Sequence, residues 1–171
     1  MSRPVTPIPL AQFLSAARRH GPVAGIVADE QAPDLPARVR VRTVDAVEMP
    51  TVADLFDEFA RAWDFPAHFG HNKDAFDDCM RDLGGAADDD TVGFVTVIAN
   101  APRLLREEPD ELGWFAESLT FYRDHYRDIA TAPTGFAALL LTPVPLTHLI
   151  EERWRDAGSP VAEIEYPEDV A

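Results

Sequence analysis

Three short apolar segments, separated by stretches with helical periodicity, place the strongest constraint on how this 171-residue chain can fold. Residues 39–47 alternate as a half-buried strand does, with Arg40 and Arg42 on the same side. Residues 93–99 and 136–141 are almost continuously apolar, which is typical of strands buried on both faces. Because helical stretches separate these strands, the order predicts an α/β fold with a short, mostly parallel sheet flanked by helices.

The stretches between the strands carry helix start and stop signals. Thr51 suits the N-cap position of the first of these helices, with Asp54 three residues later as a variant of the capping box. A second helix is predicted over residues 73–83, where Gly84 and Gly85 end it. Two more helices are predicted over residues 103–108 and 110–128.

The two ends of the chain have a different composition from the middle. Residues 1–37 are rich in proline and predict an N-terminal extension with a short helix (10–20) and an edge strand (23–28). Residues 143–171 predict a C-terminal tail with a helix over 146–156 and an acidic end, packed on the same domain. The main domain is therefore expected at 38–142, and the terminal additions are expected to cover an edge of its sheet.

Charge narrows the range of partners. Fifteen Lys and Arg face thirty Asp and Glu, a formal net charge of −15. Such a chain is repelled by nucleic-acid phosphates and by anionic membranes, and it is attracted to cationic proteins. Residues 54–90 hold eleven carboxylates and three bases, a local charge of −8, so the acidity is concentrated. Within this stretch, residues 88–90 are read as a solvated acidic turn.

The most distinctive segment is residues 65–78, which combine a loop with the start of a helix. Asn72 can cap the helix, and Asp74 in its first turn is favoured by the helix dipole. Asp78 follows one turn later on the same face, with Asp77 beside it. The opposite face is apolar, so this helix is predicted to bury one side and present carboxylates on the other.

Other chemistries fit the residues less well. His68 and His71 with Asp74 and Asp78 offer imidazole and carboxylate ligands, but the histidines flank a glycine turn and no third His or Cys lies at ligand spacing. The single cysteine, Cys79, excludes an intrachain disulfide and lies on the apolar helix face, as a structural thiol does. With no phosphate loop or nucleophile elbow, we predict no enzyme activity, no metal and no cofactor.

The pattern Phe65-Pro-x-x-Phe69-Gly70-x-Asn72-x-Asp74-Ala-Phe76-x-Asp78 resembles the signature of the barstar family of ribonuclease inhibitors. The resemblance extends over about residues 38–142. It implies an α/β fold with a three-stranded parallel sheet flanked by helices. It also implies an inhibitory surface made by this loop and helix.

The resemblance further implies roles for single residues. Asp78 matches the main contact, a carboxylate entering the phosphate-binding site of the nuclease, and Asp74 matches a second acidic contact. His68 falls where an aromatic ring often covers the nuclease active site. The remaining expected contributors to partner binding are Gly70 and Asn72 in the turn, Asp77 beside Asp78, and Asp124 on the long helix.

Two positions depart from the family pattern, and they keep a second partner class open. Asp77 stands where an apolar aromatic is usual, and Lys73 replaces an apolar or aromatic residue. We therefore predict an acidic, monomeric inhibitor that occludes a basic extracellular or toxin ribonuclease in a 1:1 complex. The alternative is an immunity or regulatory module for a different basic protein. The lone cysteine and the absence of a signal-peptide pattern favour the cytoplasm.

Overall fold

A computed structural model of the chain describes residues 6–83, 90–129 and 134–165. Across these ranges lie five strands: β1 (Ala24–Val27), β2 (Val39–Asp45), β3 (Gly93–Ala99), β4 (Gly135–Leu141) and β5 (Ala162–Ile164). The helices of the same ranges are α1 (Leu10–Ala17), α2 (Val52–Trp63), α3 (Lys73–Met80), α4 (Leu112–Asp128) and α5 (Thr147–Asp156). Residues 84–89, which include the glycines expected to end α3 and two residues of the predicted acidic turn, lie outside the described ranges.

All strand pairs in the sheet are parallel, and their order is β2-β3-β4-β1-β5. The α/β class, the parallel pairing and the flanking helices are confirmed, but the expected number of strands is wrong, since the sheet has five and not three. The two additional strands come from the terminal segments. β5 is only three residues long, too short for the apolar alternation that reveals a strand in sequence, whereas β1 falls within the strand predicted at 23–28.

The strand predicted at 23–28 is interior rather than an edge. Gly25 lies opposite Leu139 of β4 on one side and Ala162 of β5 on the other. The outer side of β5 is covered by the N-terminal segment, where Ile8 donates its amide to the Glu163 carbonyl (2.9 Å) and accepts from the Glu165 amide (2.7 Å). The terminal segments therefore both extend the sheet and protect one of its edges.

The opposite edge of the sheet is β2, and arginine side chains occupy part of it. Arg42 Nη1 donates to the Val41 carbonyl (2.9 Å), and Arg61 Nη2 reaches the Thr43 carbonyl (3.4 Å). These donors satisfy carbonyls of an edge strand that would otherwise invite another chain to pair.

Apolar side chains cover both faces of the sheet. The larger core lies between the sheet and helices α2, α3, α4 and α5, and the smaller one lies under α1. β3 and β4 are buried along nearly their whole length, as expected for central parallel strands. Phe13 of α1 and Trp154 of α5 are almost fully buried, so both terminal helices belong to the packed structure.

Local signals placed most helices correctly. The Thr51 side chain accepts from the Asp54 amide, which confirms the cap, and its hydroxyl donates to the Asp54 carboxylate (2.7 Å) as a variant of the capping box. The helix predicted at 103–108 is wrong. There the chain forms a short 3₁₀ turn (Ala101–Arg103), and Leu104 and Leu105 are buried in an irregular segment that follows it.

Because β1 is an interior strand, we expect Ile26→Ala to destabilise the protein strongly. Ile26 is 1% exposed, and truncation of a buried isoleucine costs about 2–5 kcal/mol. The free energy of unfolding measured by urea denaturation checks this. The control is Leu149→Ala on α5, where the side chain is 45% exposed, and it should shift the free energy by about 0.5 kcal/mol or less. Equal, small effects for both variants would contradict an interior β1.

Candidate functional site

The loop between α2 and α3 is anchored by two phenylalanines of the sequence motif. α2 ends at Asp64, which adopts the left-handed conformation (φ 52°) and turns the chain away from the helix axis. Phe69 is 7% exposed and packs edge-on against Phe56, while Phe65 packs against both Phe69 and Phe76. His68, between these anchors, is left exposed on the surface.

A second set of contacts fixes the end of the loop. His71 is left-handed (φ 51°), its Nδ1 lies 3.0 Å from the Phe69 carbonyl, and its Nε2 lies 3.1 Å from the Asp57 carboxylate. The ring thus ties the loop to α2. A side chain at Gly70 would meet the Asn72 amide nitrogen at 3.3 Å, so the close turn favours glycine.

Helix α3 begins as the sequence predicted. The Asn72 side-chain oxygen accepts from the Ala75 amide (2.8 Å), which confirms the cap. Phe76 and Met80 are fully buried, while Asp74 and Asp78, one turn apart, are exposed on the other side. Among the described residues, no cation pairs with the Asp74 carboxylate, whereas Asp78 pairs with Arg81 at 2.8 Å.

Asp77 lies in a different environment from its neighbour. Its side chain is half-buried and accepts a short hydrogen bond from the Tyr122 hydroxyl of α4. Burial, and then the adjacent Asp77, raise the pKa of Tyr122, so this phenol stays protonated and remains a donor. The carboxylate that departs from the family pattern therefore joins α3 to α4.

Lys73, the other departure, points away from Asp74 and Asp78. Its ammonium pairs with Glu111 at 2.8 Å and lies 4.7 Å from the centre of the Trp114 ring. Glu111 neutralises this charge, so Lys73 does not place a free cation on the acidic face of α3.

Asp124 lies in a separate cluster at the end of α1. Its carboxylate pairs with Arg123 (2.7 Å) and Arg127 (3.3 Å), and Arg123 in turn donates to the carbonyls of Ala17 and Gly21. Among the described residues, no hydrogen bond or ion pair links Asp124 to α3. The loop and α3 thus carry His68, Gly70, Asn72, Asp74, Asp77 and Asp78, whereas Asp124 lies on α4 and pairs with Arg123 and Arg127.

A groove of about 500 Å³ runs beside Asp78, between α3 and the edge strand β2. His68, Asp78 and Asp82 line it on the side of the loop and α3, and Arg40 and Arg42 line it on the β2 side. The alternation of β2 placed both arginines on one side of the strand, but nothing in the sequence showed that α3 would face them.

Cys79 also lines this groove, although it was expected to be buried. It is half-buried, and burial, followed by the charges of Asp78 and Asp82, raises the pKa of its thiol. The thiolate is disfavoured, so Cys79 is a poor nucleophile at neutral pH.

Two features are absent from the ranges that the structure describes. No helix among the described ranges is long and apolar enough to cross a membrane. No group of three or more His, Cys, Asp or Glu in those ranges is arranged to hold a metal ion.

With the loop, helix and groove defined, a comparison with protein-family models matches residues 39–138 to the family described as barstar, the barnase inhibitor. The chain belongs to the barstar family.

The barstar match covers α2, the loop, α3 and the groove, so all the candidate residues lie inside it. The first helix, β1, α5 and β5 lie outside it, which means that the two extra strands are not part of the matched barstar region. Neither the curated proteins nor the solved structures include a match to the chain.

We expect Tyr122→Phe to destabilise this barstar-family fold by about 1–3 kcal/mol, because the half-buried Asp77 carboxylate loses its donor. Urea denaturation measures the change. The matched control is Phe121→Tyr, which changes one hydroxyl on the neighbouring ring that is 46% exposed, and it should have a much smaller effect. If Tyr122→Phe is neutral, the hydroxyl does not hold α3 in place.

We also expect Cys79 to react more slowly than free cysteine with an aromatic disulfide reagent at pH 8, because its thiol pKa is raised. Asp78→Asn should speed the reaction, since it removes one charge that opposes the thiolate. Asp34→Asn, at the far side of the sheet, should leave the rate unchanged. A wild-type rate equal to that of unfolded protein would contradict the described environment.

Proposed function

We propose that this barstar-family protein is an acidic inhibitor that binds a basic, secreted or toxin ribonuclease and covers its active site. The observation that carries the proposal is the placement of Asp74 and Asp78 one turn apart on the exposed face of a helix whose other face is locked into the core. Ribonuclease active sites gather cations to stabilise a transferring phosphate, and two fixed carboxylates suit such a site.

Asp78 is the carboxylate we assign to the centre of the interface. Its present partner, Arg81, is on the same helix, and the Asp78 side chain is 75% exposed. Exposed ion pairs contribute little, so an arginine of the nuclease can replace Arg81 at small cost and gain a bidentate, desolvated bond. Asp74 is free to bind a second cation, and the dipole of α3 already favours a carboxylate at that position.

The remaining predicted residues take supporting roles in this proposal. His68 lies exposed beside the groove, where its ring can pack on the nuclease active site. Gly70 and Asn72 set the turn that aims α3, and Asp77 holds the helix through Tyr122. Asp124 would contribute at most to the long-range acidic field, because it lies with its arginines at the end of α1.

The overall charge supports a protein partner rather than a substrate. At −15 the chain attracts a basic protein from a distance and repels RNA itself, so direct nucleic-acid binding does not fit. We propose that it acts in the cytoplasm as a monomer, without a cofactor or catalysis of its own. In a 1:1 complex there it would protect cellular RNA from an active nuclease.

The test is titration calorimetry of the full chain with barnase and a panel of other basic ribonucleases, combined with an RNA-cleavage assay. We expect 1:1 binding that stops cleavage. Asp78→Ala should weaken binding by about 2 kcal/mol or more, roughly thirtyfold, the general scale for a central interface residue that the barnase–barstar pair itself helped to define. Affinity should fall as salt rises.

The matched control is Asp34→Ala, an equal change of charge on an exposed residue at the opposite end of the sheet. It should change the affinity by about 0.5 kcal/mol or less. If both variants weaken binding equally, only net charge matters and α3 is not the interface. If no ribonuclease binds, the favoured reading becomes an immunity or regulatory module for another basic protein.

A further inference from the structure

The groove beside Asp78 carries charges of both signs that do not neutralise each other. Asp78 of α3 and Asp82 of the turn that follows it line one side, and Arg40 and Arg42 line it from β2. Across the described ranges, no carboxylate lies within ion-pair distance of either arginine. Arg106 and Arg153 likewise donate to backbone carbonyls, whereas Arg61, Arg123 and Arg155 each pair with a neighbouring carboxylate.

Both arginines are held in place by contacts that leave most of their donors free. Arg40 Nη1 donates to the Leu83 carbonyl (3.2 Å) and Arg42 Nη1 to the Val41 carbonyl (2.9 Å). The Arg42 guanidinium also lies 5.8 Å from the centre of the Trp63 ring. Each guanidinium has five N–H donors in a fixed plane, so several remain available to an acceptor entering the groove.

Backbone contacts of this kind fix a cation without neutralising it. Both side chains are half-buried, which strengthens their interaction with an incoming carboxylate compared with a fully exposed pair. A free phosphate group would meet Asp78 and Asp82 in the same groove and be repelled. A partner protein that presents an acidic side chain to β2 and cations to α3 meets a complementary charge on each wall of the groove.

We propose that Arg40 and Arg42 form a specificity-determining part of the interface that selects a ribonuclease carrying an acidic side chain next to its cationic active site. The inference rests on the proposed function and deepens it, because it adds a requirement on the partner. The carboxylate of the nuclease binds the two arginines, and its cations bind Asp74 and Asp78. A basic protein lacking that acidic group leaves two arginines desolvated and unpaired, which discriminates against it.

The test is whether replacing each arginine with a glutamate weakens or tightens binding to the nuclease. Arg40→Glu and Arg42→Glu each make the inhibitor more acidic, so net charge alone would tighten binding to a basic nuclease. We expect the opposite, a loss of affinity of about tenfold or more for each, because the new carboxylate faces the acidic side chain of the partner. The probe is barnase, together with any other ribonuclease that the wild-type chain inhibits, measured by titration calorimetry.

The matched control is Arg103→Glu, an equal charge change on an exposed residue that does not line the groove. This control variant should bind the nuclease with unchanged or slightly higher affinity. Arg42→Lys keeps the charge but not the planar donors, so it should retain more of the affinity than Arg42→Gln, which loses both. Thermal unfolding of every variant shows whether an affinity change comes from a damaged fold.

The outcomes separate the two proposals. If the wild type binds a nuclease through Asp78 and the glutamate variants at 40 and 42 bind as tightly as the Arg103→Glu control, the proposed function stands and the groove proposal is overturned. If the wild type binds no ribonuclease, both fall together. Weaker binding by folded glutamate variants, with rescue by lysine, supports the groove as the element that selects the partner.

Discussion

The packing of aromatic rings around Phe76 is the contact on which the candidate site depends. Phe76 is fully buried, and its ring lies within about 5–6 Å of Phe56 and Phe59 of α2, Phe65 of the loop, and Trp114 and Tyr122 of α4. α2, the loop, α3 and α4 all meet at this ring. An eight-residue helix is too short to be stable alone, so this packing is what gives α3 a fixed orientation.

Polar contacts with α4 then fix the rotation and the end of the same helix. The Tyr122 hydroxyl holds Asp77, and the Tyr126 hydroxyl donates to the Met80 carbonyl and accepts from the Leu83 amide. Because side chains on a helix turn by 100° per residue, the buried Phe76 and Met80 place Asp74 and Asp78 on the outward side, and Asp77 lies between the two faces. Its bond to Tyr122 is therefore a structural link that helps to orient the two exposed carboxylates.

Features encoded locally were predictable from the sequence, and features created by long-range packing were not. The caps at Thr51 and Asn72, the central strands and the burial of Phe76 follow from periodicity and capping chemistry. The three residues of β5 carry little signal of their own, and the interior position of β1, which was predicted as an edge strand, depends on its pairing with β4 and β5. For the same reason the partners of Lys73 and Asp77, which lie 38 and 45 residues away, could not be assigned.

The same distinction applies to the electrostatics of the site. The sequence indicates an acidic surface, and an acidic surface by itself attracts any basic protein. Selectivity requires a contact that a wrong partner cannot make. Fixed charges of opposite sign, placed side by side, are such a requirement, because a wrong partner leaves one of them unpaired. In this fold the two signs come from elements distant in sequence, β2 and α3, which the sheet and the Phe76 cluster bring to the two sides of one groove. Long-range attraction of the partner and selection of the partner can thus depend on different residues of one surface. The overall negative charge supplies the attraction, and the two arginines, which have the opposite charge, supply the selection.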